Sequence, residues 1–217
     1  TSIYCCSTAS KHGSTKLMSK YLVLPDCQVS SRNSFEHLKW IGNYIAAKRP
    51  DVIVQIGDFV DMSSLSSFDI GKKSFEGRRY KDDIETAHKA MSLLTKPFQK
   101  LKSYKPKMHL TLGNHEERIL RAVESDAKLE GTLSLDDLQY KKFGWTVHDF
   151  LRPVILDEIA FCHYFPSGQL GRPTSSARAI LNKMHMSCIA GHLQGRDIAY
   201  AKRADGRQIT AIIAGSA

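Results

Sequence analysis

"DVIVQIGDFVD", residues 51–61, begins as an unbroken apolar run and ends on two acids, Asp58 and Asp61. Val52, Ile53, Val54 and Ile56 leave no polar face, so the stretch predicts a strand buried on both sides, the habit of parallel sheets. Its neighbours read alike. "YLVLPD" at 21–26 closes on Pro25 and Asp26, and "PKMHLTLGN" at 106–114 closes on Gly113 and Asn114. Between these runs lie helical patterns. Phe35, Leu38, Trp40, Ile41, Tyr44 and Ile45 form a stripe that stops before Pro50, and a second helix is expected over residues 80–104. Strand, helix, strand, helix, strand predicts a mainly parallel sheet with covering helices.

The second half changes character. "GWTVHDF", "RPVILDE" and "IAFCHYF" are short β-like runs, and "DIAYAKRADGRQITAIIAG" reads as a hairpin about Asp205 and Gly206. A helix at about 174–185 and a strand at "SCIAGH" interrupt them. The shift predicts a second, more antiparallel sheet packed on the first. The fold class is therefore α/β (α+β), two packed mixed β-sheets flanked by helices. Residues 20–217 read as one domain, without repeat or linker. Residues 1–19 are polar and rich in Ser, Thr and Lys, and read as a flexible leader or extension. The sequence stops at "IIAGSA", directly after an apolar run, where a further strand or tail is expected.

Composition narrows the classes. With 42% hydrophobic and 24% charged residues among 217, neither a disordered nor a fibrous chain is indicated. No apolar run approaches the ~20 residues that span a bilayer, so no membrane partner is expected. A formal net charge of +9 favours polyanionic partners, although a solvated basic surface accounts for it equally well. The five cysteines, Cys5, Cys6, Cys27, Cys162 and Cys188, show no CxxC spacing. That argues against a disulfide framework or a cysteine-zinc site and for a reducing cytosol. Cys162 and Cys188 are expected in the core.

The polar residues collect at strand ends. The first strand ends in Asp26, Cys27 and Gln28, the second in "GDFVD" and the third in "GNHE", while later strands carry His163 in "FCHYF" and His192 with Gln194 in "GHLQ". In a parallel sheet the loops leaving the carboxyl ends share one edge, where ligands bind. Each piece alone is a turn, a cap or a satisfied core histidine. Together, carboxylates, imidazoles and amide oxygens on one edge make a ligand set for hard or borderline divalent metals.

This ordered set resembles the calcineurin-like metallophosphoesterase superfamily, whose blocks are D-x-H, GD-x-x-D, GNH-E/D, a lone H and GH-x-H. The match runs from residue 26 to 194. The resemblance implies a four-layer sandwich and two divalent metal ions that serve an in-line attack by a metal-bridging hydroxide. It implies Asp26, Gln28, Asp58 and Gln194 at one ion, and bridging Asp58 with Asn114, His163 and His192 at the other. It also implies His115 as the general acid and Asp61 as the carboxylate that orients it. His109 and His148 have no such partner in sequence and are read as structural.

The chain departs from the family pattern at two places. Gln28 and Gln194 stand where the family has histidine, and both fall at the same ion. Either they ligate through oxygen, which favours Mn²⁺, with Mg²⁺, Zn²⁺ or Fe as alternatives, or they hydrogen-bond a water on that ion. Met62 stands where protein phosphatases of the superfamily carry a phosphate-gripping Arg, and Arg118, one turn into the helix after Asn114, is the candidate replacement. "GKKSFEGRRYK" places Lys72, Lys73, Arg78 and Arg79 beside Phe75 and Tyr80, a mixture suited to phosphates and bases. The run of blocks also looks like the small phosphoesterases of tailed-phage genomes, which implies a host-cell cytoplasm. A phosphodiester, with nucleic acid as a candidate, is the expected substrate. The alternatives are a phosphomonoesterase acting on phosphoprotein or nucleotide, and a degenerate module that binds nucleic acid or protein without turnover. Oligomeric state is not legible.

Overall fold

The apolar runs of the first half do align as neighbours. In the computed structural model, which describes residues 4–6 and 19–217, β1 (Tyr4–Cys6) pairs antiparallel with β2 (Tyr21–Leu24). β2, β3 (Val52–Gln55), β4 (Lys107–Thr111) and β5 (Thr146–His148) then follow side by side, all parallel. Of the arm expected over residues 1–19, Tyr4–Cys6 is thus a strand, and residues 1–3 and 7–18 lie outside the described residues. Helices α1 (His37–Lys48) and α2 (Tyr80–Gln99) are the crossovers. Strand order advances in one direction, so right-handed connections put both helices on the same face of the sheet.

That geometry explains the unbroken apolar run. Leu22, Leu24 and Ile53 face the helices and meet Leu38, Ile45, Leu94 and Phe98. Tyr21, Val23, Val52, Val54 and Ile56 face the other way and meet Ile159, Phe161 and Ile189 of the second sheet. That sheet consists of β6 (Val154–Leu156), β7 (Ile159–Cys162), β10 (Ser187–Ala190), β11 (Asp197–Lys202) and β12 (Gln208–Ile213), in the order β11-β12-β10-β7-β6. Its outer face, with Ala160, Cys162 and Cys188, packs on α4 (Ala177–Met184). Helices, sheet, sheet and helix make the expected four layers. The central pairings β7·β10 and β10·β12 are parallel and the outer two antiparallel. A small hairpin of β8 (Pro166–Ser167) and β9 (Arg172–Pro173) and a helix α3 (Glu117–Ser125) complete the elements that bear on the site.

Several expectations are corrected. The run "GWTVHDF" belongs to the first sheet, as β5, and not to the second. The second helix ends at Gln99 rather than Tyr104, two residues after Pro97, whose ring nitrogen cannot continue the hydrogen-bond ladder. Trp40 and Tyr44 leave the buried stripe of α1: Trp40 is 71% exposed, and Tyr44 lies under the Lys48 ammonium at 5.9 Å. Among the described residues no helix is long and apolar enough to cross a membrane.

Candidate metal centre

Because β7 and β10 run parallel to one another, both present their carboxyl ends at one edge, and so does the β2-β3-β4 group. Asp26 follows β2, Asp58 and Asp61 follow β3, Asn114 and His115 follow β4, His163 follows β7 and His192 follows β10. Four of these side chains meet. Asn114 Oδ1 lies 2.9 Å from His163 Nε2 and 2.8 Å from His192 Nδ1, and the two ring nitrogens are 3.3 Å apart. Asp58 Oδ2 is 3.3 Å from His163 Nε2. One donor atom each from Asp58, His163 and His192 falls within a 4.8 Å group, the spacing of ligands to a single ion.

The ring of His163 has its tautomer assigned by its surroundings. Nδ1 sits 2.9 Å from the Ile56 carbonyl, which can only accept, so Nδ1 carries a hydrogen, and it is Nε2 that faces the cluster and offers a lone pair once its own proton is lost. Charge is concentrated here. Burial lowers the His163 pKa, but its hydrogen bond and charge pairing with Asp58, and the charge of Asp26, outweigh this and push it up to about 9. Burial pushes Asp26 up to about 7, against the pull of His163. Burial also raises Asp58, yet His163 and His115 hold it below the usual carboxylate range. Carboxylates that burial pushes toward neutrality beside imidazoles suit a divalent cation, which would take the place of the proton they share.

The backbone is forced to deliver these groups. Asp58 and His192 sit in the left-handed region at φ 50 and 65, as does Gln28 at φ 43, a conformation costing ~1–3 kcal/mol per non-glycine residue. Hydrogen bonds hold them there. His192 N donates to both oxygens of Asp26 at 3.1 and 3.0 Å, His115 N donates to Asp58 Oδ1 at 2.9 Å, and Gln28 N donates to the Asp58 carbonyl at 2.8 Å. Two glycines are demanded by close approach: a Cβ on Gly113 would collide with Asp58, and one on Gly191 with the Asp26 carboxylate.

His115 and Asp61, expected as an acid and its orienting carboxylate, lie in contact. His115 Nδ1 lies 2.9 Å from Asp61 Oδ1 and 2.8 Å from the Asp61 carbonyl. Burial lowers its pKa, but the hydrogen bond to Asp61 and the Asp58 charge raise it further, so the net shift is upward.

Other expected residues stand elsewhere. Gln28 and Gln194 make no side-chain hydrogen bond to another described residue, and Gln194 is exposed. Arg118, expected as the phosphate clamp, packs against the His115–Asp61 pair: its Nη1 donates to the carbonyls of Asp61 at 2.7 Å and Met62 at 3.3 Å, and its Nη2 lies 3.3 Å from His115 Nε2. Arg78 likewise turns inward. Only 10% exposed, it binds Asp69 at 2.7 Å and the carbonyls of Ser63 and Ser74, and covers the Phe75 ring. Tyr80 is tied to Asp137 at 2.7 Å. Lys72 reaches Asp69 at 3.1 Å but stays exposed, as do Lys73 and Arg79, and Phe68 on the same segment is 80% exposed.

Some site residues are not legible in sequence. Gln55, fully buried, donates to the carbonyls of Pro25 and Gly57 and accepts from Gly57 N, bracing two ligand loops. Phe150 and Tyr164 wall the imidazoles, with Tyr164 4.9 Å from the His192 ring and Phe150 6.3 Å from His163. Tyr164 follows His163 directly, the one local signal that could have marked it. His109 and His148, read as structural, pair with each other at 3.0 Å. Burial pushes the Cys162 thiol up to about 11 and Cys188 up to about 12, so neither is a nucleophile.

No curated protein matches the chain. The family model for calcineurin-like phosphoesterases matches residues 19–192, a span that holds every strand-end residue of the centre except Gln194. That match spans most of the chain, which therefore belongs to the calcineurin-like phosphoesterases, metal-dependent hydrolases of phosphate esters, and carries a candidate ligand cluster for a metal ion.

Proposed function

We propose that the protein is a binuclear phosphodiesterase that works with Mn²⁺ and acts on a polyanionic ester such as nucleic acid. The observation that carries the metal reading is the meeting of Asp58, Asn114, His163 and His192. These four would hold one ion, and Asp26, Gln28, Gln194 and shared Asp58 the other. When bound, such ions lower the pKa of water and neutralise phosphoryl oxygens. The oxygen-rich donors of the second set favour Mn²⁺.

The chain's own residues supply the proton. His115, whose charged form burial opposes but Asp61 and Asp58 favour, gives its Nε2 proton to the leaving oxygen while Asp61 holds Nδ1–H. Arg118 acts as a positioning residue: its Nη2 hydrogen faces Nε2 favourably only once that nitrogen is bare, which is the state after donation. The diester preference is supported by the +9 charge, by the outward Lys72, Lys73 and Arg79 beside exposed Phe68, and by buried Met62 where a monoester-gripping Arg would stand. Free Cys27, Cys162 and Cys188 are consistent with a reducing compartment.

With Mn²⁺ supplied, bis-p-nitrophenyl phosphate should turn over faster than p-nitrophenyl phosphate. Preference for the monoester would reject the diester assignment, and hydrolysis of neither ester would favour a binding module.

A further inference from the structure

The fourth residue of "GNHE" does not serve the helix it precedes. Glu116 is wholly buried, and its carboxylate reaches back across the sheet edge to the loop after β3. Oε2 accepts from Asp58 N at 3.0 Å and Gly113 N at 2.9 Å. Oε1 accepts from Phe59 N at 2.8 Å, Val60 N at 3.3 Å and the Tyr140 hydroxyl at 3.1 Å. The return contact comes from the other loop, since His115 N donates to the Asp58 carboxylate. Two ligand-bearing loops are thereby locked to each other through one buried anion.

From this geometry we infer that Glu116 is a positioning residue for the metal centre: it holds the strained Asp58 backbone so that the Asp58 carboxylate points at the ion. The inference rests on the metal reading of the Asp58 cluster. Donor and acceptor arithmetic makes it specific. An amide in place of the carboxylate has one accepting oxygen, so Glu116→Gln must orphan either Asp58 N and Gly113 N or Phe59 N and Val60 N, whichever way it flips. Tyr140 can rotate to accept from the amide, and the backbone donors cannot.

The test is calorimetric titration of the metal-free chain with Mn²⁺, comparing wild type, Glu116→Gln and Leu38→Ala, a core truncation in α1 that lowers stability away from the site. Loss of an outer support typically weakens metal binding by about 10–100-fold, and that loss is expected for Glu116→Gln. Leu38→Ala should bind near the wild-type value although it melts earlier. Equal affinity in wild type and Glu116→Gln, or an equal loss in Leu38→Ala, would overturn the positioning role. If Glu116→Gln does not fold, Glu116→Asp, which keeps both oxygens one methylene short, is read by the same comparison. A wild-type chain that takes up no Mn²⁺ at millimolar supply would instead overturn the metal reading, and this inference with it.

Discussion

The two halves of the proposed binuclear centre are built differently. On the imidazole side three of the four donors are anchored from behind, His163 by the Ile56 carbonyl, Asp58 by His115 N and by the Glu116 clasp on its own N–H, and Asn114 through its main-chain carbonyl by Arg121 at 2.7 Å, while His192 is held through its backbone N–H on Asp26. On the glutamine side Asp26 is buried and bonded to His192 N, but Gln28 and Gln194 hang free of side-chain partners among the described residues. A fixed donor gives up little freedom when an ion arrives. A loose glutamine loses up to ~2 kcal/mol of rotamer entropy. The difference teaches that ligand type and ligand support change together here, and that the two ions should be held with unequal strength.

The largest expected effect breaks chemistry away from metal binding. His115→Ala removes the proposed proton donor but keeps the backbone N–H that holds Asp58, so kcat should fall by about 10²–10⁴-fold with metal content unchanged. If metal analysis showed the ions leaving with the side chain, His115 would belong to the anchored half as a support rather than to catalysis. A smaller effect concerns protons. A metal-free His163 with a pKa of about 9 is charged at neutrality, and an ion must displace its Nε2 proton. Affinity on the imidazole side should therefore rise with pH by about tenfold per unit until about pH 9 and then level off. A pH-independent affinity between 6 and 8, measured calorimetrically in buffers of different ionisation enthalpy, would contradict that coupling.

Much of this asymmetry was legible in sequence, because apolar runs buried on both faces announce themselves and the polar residue that ends each run is conspicuous. Asp26, Asp58, Asn114, His163 and His192 do stand at strand ends, as those runs predict. What escaped depends on contacts far apart along the chain. Glu116 carries no sign of its role in its own neighbourhood, because its partners at 58–60 lie 56 to 58 residues away. Arg118 and Arg78 looked available because spacing does not show that a guanidinium is already committed to nearby carbonyls. β5 was given to the wrong sheet because three residues of alternation, Thr146–His148, carry no information about which neighbour they pair with.

The most direct test of unequal ion binding is a calorimetric Mn²⁺ titration of the metal-free wild type beside Gln28→His/Gln194→His. The wild type should bind one equivalent tightly and a second more weakly. In a parallel Zn²⁺ titration, imidazoles at both positions should tighten the weak phase by about tenfold and leave the tight one unchanged, since imidazole suits Zn²⁺ better than an amide oxygen does. Two equally tight phases in the wild type, or a double variant whose weak phase does not move, would contradict the account.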